Sequence, residues 1–288
     1  MGIIVGEDTR IMVQGITGHQ GSFNAVQMQK FGSKVVAGTS PGKGGTEVNG
    51  IKVYNSVEEA MVEEPNATFI SVAAPYVLDA AMDALYNGLD LIYILTEKVP
   101  YQDTMKIVSL AKKMGKIVLG PNGPGATTPF TCKLGIMPNQ IFRKGEIGVI
   151  SRSGTLTYEI VNLITESGLG ESTVVGLGGD PVTGLSFIDV LERFKDDEDT
   201  RAVVLVGEIG GTAEEEAADY IKNKFNKPVV AYITGRSAPP GKRMGHAGAI
   251  ITRGRGTAES KVKALQDAGV LVGSYPYEIP NLLKEVLK

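Results

Sequence analysis

Only two histidines occur in the 288 residues of this chain, and one of them, His246, stands in GKRMGHAGAI at 241–250. From Arg236 to Gly256 the chain carries Arg236, Lys242, Arg243, Arg253 and Arg255 and no acidic residue. Imidazole is a nucleophile at neutral pH, and surrounding cations favour an anionic group on its nitrogen. The layout predicts a histidine that becomes phosphorylated. The stretch is rich in glycine and longer than a passive connector, since structureless loops beyond about 12–15 residues are usually functional or disordered. A solvated basic loop with an incidental histidine has the same composition, so the surrounding residues must decide.

Two segments offer partners for such a histidine. In Gly207-Glu208-Ile209-Gly210-Gly211, Glu208 closes a predicted strand, the end at which open α/β sheets bind ligands. A carboxylate accepting the N–H of a histidine fixes its tautomer and stabilises the imidazolium. Thr212 can cap the helix that follows, and Glu214, Glu215 and Glu216 read most simply as compensation of the helix dipole. In Ser151-Arg152-Ser153-Gly154-Thr155, the hydroxyls and backbone N–H groups of Ser153, Gly154 and Thr155 suit a phosphate at a helix start. An ordinary Ser/Thr N-cap explains the same residues.

Near the N-terminus, Gly15-Ile16-Thr17-Gly18-His19-Gln20-Gly21 leads from a strand into a helix, a ready anion site. Its GxxGxxG spacing differs from the dinucleotide GxGxxG, and NAD would also call for an acid about 20 residues on. Here the next strand ends in Thr39-Ser40-Pro41-Gly42-Lys43-Gly44-Gly45. A lysine in that place suits a ribose phosphate, as in NADP or coenzyme A. The same stretch fails as a Walker loop: its glycines are too close together, and Gly44 replaces the magnesium-binding hydroxyl. With no ATP phosphate cradle in view, the phosphoryl donor for His246 is expected on another chain.

These sites require an α/β scaffold. Short apolar runs predict strands over 10–16, 34–39, 67–73, 89–95 and 116–119, with helices over 21–31, 57–63, 76–87 and 101–114. That alternation means βαβ units, a parallel sheet and a Rossmann-type layer structure. GPNGPGATTP at 120–129 breaks the rhythm. A second α/β series follows, with strands over 148–151, 173–176, 202–206 and 229–233. Its helices are expected over 156–167, 187–194, 213–225, 257–268 and 279–287. The domains are expected at 1–130 and 131–288.

Composition narrows the function classes. The hydrophobic share of 42% and charged share of 21% are those of a soluble globular protein, whereas 37 glycines exceed the usual share of about 7%. A net charge of −3 without a basic face argues against nucleic acid. The single cysteine, Cys132, excludes an internal disulfide and a cysteine metal cluster. No signal peptide and no apolar run long enough for a membrane span is visible. A reducing, cytoplasmic setting is expected.

The motifs GITGHQG, PGKGG, Leu95-Thr96-Glu97, GPNGPG, SRSGTLTYE, GEIGGTAEEEAA and GKRMGHAGAI, in this order, closely resemble the α subunits of succinyl-CoA synthetases (succinate–CoA ligases). The resemblance runs from about residue 3 to residue 288. It implies a CoA-binding Rossmann domain followed by a flavodoxin-like ligase domain. It also implies a β subunit of ATP-grasp fold, in an αβ or α2β2 assembly, that supplies ATP or GTP with magnesium. Carried over residue by residue, it assigns Thr17, Gly18, His19, Gln20, Lys43, Leu95, Thr96, Glu97 and Asn122 to CoA. His246 becomes the phosphorylated residue with Glu208 as its orienting partner, Ser153, Gly154 and Thr155 the phosphate site, and Tyr158 a substrate-pocket residue. His19 stands where bacterial members often carry a small residue, and Gly123 where many carry cysteine. The implied reaction is reversible formation of succinyl-CoA through phosphohistidine and succinyl phosphate. Malate or acetate in place of succinate, or a CoA-binding regulatory module without chemistry, are the alternatives.

Overall fold

The computed structural model describes residues 2–239, 244–251 and 256–288. The first half alternates β1 (Arg10–Gln14), α1 (His19–Phe31), β2 (Lys34–Thr39), β3 (Glu47–Val48), β4 (Ile51–Tyr54), α2 (Val57–Ala60), β5 (Ala67–Ile70), α3 (Val77–Tyr86), β6 (Leu91–Ile94), α4 (Tyr101–Lys113) and β7 (Ile117–Leu119). Their sheet has the order β3-β4-β2-β1-β5-β6-β7, parallel except for the β3–β4 edge. The order reverses at β1 and β5, the Rossmann switch point. Strands β5 and β6 are buried along their whole length, as a sheet covered by helices on both faces requires.

The second half contains β8 (Gly125–Thr128), β9 (Cys132–Gly135), β10 (Lys144–Ser151), α5 (Gly154–Glu166), β11 (Glu171–Gly176), α6 (Phe187–Lys195), β12 (Ala202–Glu208), α7 (Ala213–Lys224), β13 (Val229–Thr234), α8 (Ala258–Asp267), β14 (Leu271–Gly273) and α9 (Ile279–Val286). Its sheet order is β14-β13-β12-β10-β11-β8-β9. The five parallel strands follow the flavodoxin-like order, with the switch point between β10 and β12. The hairpin β8–β9 joins antiparallel to β11.

That hairpin corrects the expected division at 130. The passage 120–129 reads as a break because of its glycines and prolines, yet Gly125–Thr128 already pairs with the second sheet, Gly125 lying opposite Gly176. The change of sheet therefore falls within residues 120–124, ahead of the expected boundary. The short strands β3, β4 and β14 were also not expected. They are edge elements of two to four residues, too short to declare a period.

The halves share one core. A single buried cluster runs from Phe69, Tyr93 and Leu119 in the first sheet through Leu134 of the hairpin to Val203 and Leu205 in the second. Helix α1 lies over β9: the Ser33 hydroxyl donates to the Lys133 carbonyl at 2.8 Å and accepts its N–H at 2.8 Å. The Phe31 and Phe142 rings meet edge-on at 5.7 Å.

At the end of the second sheet remote from its ligand-binding edge, Glu171 opens β11 with no solvent exposure. Its carboxyl accepts the Arg143 N–H at 3.1 Å and the Thr165 hydroxyl at 3.2 Å. Burial outweighs these bonds and pushes its pKa up to about 7. A carboxyl with a raised folded-state pKa stabilises the protein below its unfolded value, and that contribution is lost as pH rises through the folded one. The window here runs from the ordinary carboxyl value of 4.5 to about 7. Glu171→Gln should flatten the stability profile in this window, so that Tm of the variant relative to the parent rises from pH 5 to pH 8. Parallel melting curves for the two proteins would contradict the assignment.

Candidate active site

The first site lies where β1, β2, β5 and β6 end together. The Gly15–Gly18 turn closes with the Gly18 N–H donating to the Gly15 carbonyl at 3.0 Å, and α1 begins at His19 with no acidic residue in its first turn. Gly21 is dictated by packing, since a Cβ there would stand 2.2 Å from the Gly15 carbonyl oxygen. Thr17 and Ser40 share a hydroxyl–hydroxyl bond of 2.6 Å, which ties the turn to the end of β2. Beyond it, the Asn55 side-chain oxygen accepts the N–H groups of Gly42 and Gly44, each at 3.0 Å, and so shapes the loop that presents exposed Lys43. On the far side of β5, the Leu95 N–H donates to the Ile70 carbonyl at 3.1 Å and the Thr96 hydroxyl to the Val72 carbonyl at 2.6 Å. Thr17, Gly18, His19, Gln20, Lys43, Leu95 and Thr96 thus follow the carboxyl ends of β1, β2 and β6, the side of the sheet on which the switch-point crevice of a doubly wound fold opens. The lysine among them is at the β2 end.

The second site is built around His246. Its Nδ1 lies 2.7 Å from Glu208 Oε2, and Glu208 is only 4% exposed. The hydrogen bond to Glu208 is the main cause that raises the imidazole pKa above its ordinary value, against the opposing effect of burial. Nε2 is thereby the nitrogen left to react. The ring lies flat on Gly179, where a Cβ would come within 2.4 Å of it.

Backbone contacts hold the histidine segment to the sheet. The Gly248 N–H donates to the Gly179 carbonyl at 3.2 Å, and the Gly210 N–H to the Gly256 carbonyl at 2.8 Å. Gly210 has φ +93°, and a Cβ on it would approach the Gly248 carbonyl oxygen to 2.0 Å. Gly210 of GEIGG is therefore where the histidine segment sits, as well as part of a helix start. Lys242, Arg243, Arg253 and Arg255 lie outside the described residues.

Of the two helix starts beside the histidine, only one is open to an anion. Helix α5 has no acid in its first turn, and the Ser153 hydroxyl caps it by accepting the Leu156 N–H at 3.4 Å. The capping and phosphate readings of Ser153 thus coexist, with Gly154 and Thr155 as the next backbone donors. Helix α7 differs from expectation. Thr212 makes no capping bond, and its hydroxyl instead donates to Glu216 at 2.6 Å. Glu214 is wholly buried and accepts the Glu208 N–H at 3.2 Å. A protein carboxylate already occupies that helix end, so the triplet does more than offset a dipole on the surface. Tyr158 sits half-buried one turn into α5, its phenol pushed up to about 12 by burial and hence a neutral donor.

The two sites meet. Asn122 donates its N–H to the Thr96 carbonyl at 3.3 Å and accepts the Gly179 N–H on its own carbonyl at 3.0 Å. Its side-chain amide donates to Asp180 Oδ1 at 2.9 Å. A cleft of about 360 Å³ opens here, lined by Glu97, Asn122, Asp180, Gly245 and Ala247 among others. Burial raises the Asp180 carboxyl above its usual range, against the pull of Asn122 and His246. Sequence reasoning passed over Asp180, Gly179, Arg152 and Lys261. Gly179-Asp180-Pro181 directly after a strand could have flagged the first two. Arg152 was visible in the SRSGT motif without a partner to aim at, and Lys261 reads as one surface lysine of an amphipathic helix.

Comparison with known proteins agrees with the order of the two halves. Residues 6–98 match the CoA binding domain family and residues 150–271 the CoA-ligase family. The chain is 57% identical to the succinate–CoA ligase [ADP-forming] subunit alpha of Methanothermobacter thermautotrophicus, over 99% of this chain and 97% of that one. It is 54% identical to subunit alpha 2 of the same enzyme from Archaeoglobus fulgidus, over the full length of both. Among solved structures, Methanosaeta concilii ATP citrate lyase in complex with (3S)-citryl-CoA superposes with a TM-score of 0.89 at 25% identity, covering 98% of this chain and 50% of that one. The chain belongs to the family of succinate–CoA ligase alpha subunits.

Proposed function

We propose that this chain forms succinyl-CoA reversibly from succinate, CoA and a nucleoside triphosphate, with His246 as the phosphoryl carrier. The contact of 2.7 Å between His246 Nδ1 and buried Glu208 carries the reading. In the first step the Nε2 lone pair attacks the γ-phosphorus, the bond to the bridging oxygen breaks, and the nucleoside diphosphate leaves. The ring keeps its Nδ1 proton, and Glu208 stabilises the positive charge that develops. In the second step a succinate carboxylate oxygen attacks phosphorus, and the N–P electron pair returns to Nε2. In the third the CoA sulfur attacks the acyl carbon, phosphate departs with the C–O electron pair, and the thiol proton passes to phosphate or solvent.

CoA belongs in the first crevice, its phosphates and ribose on Thr17, Gly18, His19, Gln20 and Lys43. Its thiol end runs past Leu95, Thr96, Glu97 and Asn122 toward the cleft. Ser153, Gly154 and Thr155 receive the phosphoryl group at the α5 start, and Tyr158 lines the acid pocket. Among the described residues no group of three or more His, Cys, Asp or Glu side chains is arranged to hold a metal ion. ATP or GTP with magnesium belongs on a β subunit of ATP-grasp fold, in an αβ or α2β2 complex, a reading supported by relatives that are themselves alpha subunits. A single buried cysteine suits a cytoplasmic enzyme, and no helix among the described residues is long and apolar enough to cross a membrane.

Incubation of the complex with labelled nucleotide and magnesium should put an acid-labile, base-stable phosphoryl group on this chain, discharged by succinate plus CoA. His246→Asn should remove label and turnover while CoA binding persists. Full labelling of that variant would place the nucleophile elsewhere. Glu208→Gln should slow phosphorylation by roughly 10²–10⁴-fold, and it should lower the titration midpoint of His246, because the bond that raises it is lost. An unchanged midpoint would contradict the pairing.

Lys43→Ala should weaken CoA more than dephospho-CoA when both are titrated calorimetrically. Equal losses would move the lysine away from the ribose phosphate.

A further inference from the structure

Behind Glu208 the structure holds charges that the proposed chemistry does not use. Arg152 Nη2 stands 3.5 Å from Glu208 Oε1, a buried oxygen that has no hydrogen-bond partner. Arg152 Nη1 lies 3.1 Å from Glu214 Oε1 and also donates to the Gly210 carbonyl at 3.3 Å. Glu214 is in turn paired with Lys261, which contacts Glu215 at 3.0 Å. Glu214 and Lys261 are fully buried and Arg152 is 9% exposed. The series His246, Glu208, Arg152, Glu214, Lys261 thus alternates in sign from the reacting ring into the core.

Burying such charges is costly before pairing offsets it. A structural anchor of helix α7 would need only Glu214 with one cation. The second cation, Arg152, is aimed at the oxygen of Glu208 that the histidine does not use. A Cβ on Gly248 would stand 3.0 Å from Arg152 Nη2, so the guanidinium also backs the histidine segment itself.

We propose that Arg152, clamped between Glu208 and Glu214, is a positioning residue for phosphoryl transfer: it fixes the Glu208 carboxylate and offsets part of its charge, so that neutral and protonated His246 stay close in energy. The ring must be neutral at Nε2 to attack, yet it must carry positive charge once phosphorylated. A bare buried carboxylate would favour the protonated ring so strongly that the nucleophile would be masked. A carboxylate fully neutralised would leave the product ring unsupported. Glu214 sets how much of the guanidinium's charge reaches Glu208, and Lys261 holds Glu214. The other described groups that face the ring are Asp180 from the turn after β11 and Glu208 itself.

The proposal rests on His246 as the phosphoryl acceptor, and its test separates the two claims. Histidine Cε1 is labelled in this chain, and the His246 signal, assigned by its loss in His246→Asn, is titrated by NMR. The acid limb of the phosphorylation rate is measured in the αβ complex. Arg152→Gln should raise both midpoints by roughly 0.5–1 pH unit, since an uncompensated carboxylate holds the proton more tightly. Glu214→Gln should lower them, because more of the guanidinium's charge then acts on Glu208. Arg152→Lys should fall near the parent. The charge-balanced double variant, Arg152→Gln with Glu214→Gln, should also return close to the parent and keeps the test open if a single variant fails to fold. Midpoints that stay fixed, or that move the same way in Arg152→Gln and Glu214→Gln, would overturn the proposal, since loss of packing alone has no reason to give opposite signs. Opposite shifts in a protein that takes no label would uphold the electrostatic coupling while removing phosphoryl transfer as its purpose.

Discussion

Everything at the active site depends on one hydrogen bond between a half-buried imidazole and a buried carboxylate. It is short, 2.7 Å between His246 and Glu208, and it joins residues 38 positions apart in sequence. Neither end is placed by its own side chain alone. Glu208 is delivered by β12, a strand buried over its full length, and its N–H is tied to Glu214. His246 is delivered by a segment whose backbone is pinned at Gly179 and at Gly210. Gly179 and Gly210 are required because each of these approaches is closer than a Cβ permits.

The same constraint explains why two α/β layers are joined so closely. Acyl transfer to CoA brings three reactants to one point, and effective concentration rises only if their sites are held in register. Here the Rossmann switch point lies in the first sheet, and the flavodoxin-like switch point of the second lies beside the end of β12, where Glu208 meets the histidine. The core that runs through Phe69, Tyr93, Leu134 and Leu205 fixes one against the other. Two loosely tethered domains would have to pay for that alignment at each turnover.

How much of this was legible in the sequence follows from the range of each signal. Local signals survived: the apolar runs of β1, β5, β10 and β12, the helix starts at GITGHQG and SRSGT, and the place of Glu208 at the end of its strand, where it meets His246. Signals that depend on pairing partners did not. The hairpin β8–β9 is hidden because GATT is short and flanked by proline, and only β11 makes it a strand. Glu214 and Lys261 look like solvated helix charges, since nothing in their spacing shows that both side chains turn inward to one guanidinium. Arg152 faced the same difficulty, because its partners lie 56 and 62 residues downstream.

The five residues from Gly120 to Pro124 look like a linker, and linkers ordinarily accept insertions because loop closure grows only slowly more costly with length. This one has no slack. Asn122 spends its N–H on the first sheet and its carbonyl on the second, while Gly120, Gly123 and Gly125 each lie against backbone with no room for a side chain. One added residue is expected to strain the bonds to Thr96 and Gly179, and Gly179 is the surface on which the histidine ring rests. This five-residue connection is thus a gauge block between the carboxyl ends of the two sheets, and its length is as fixed as the position of any side chain around it.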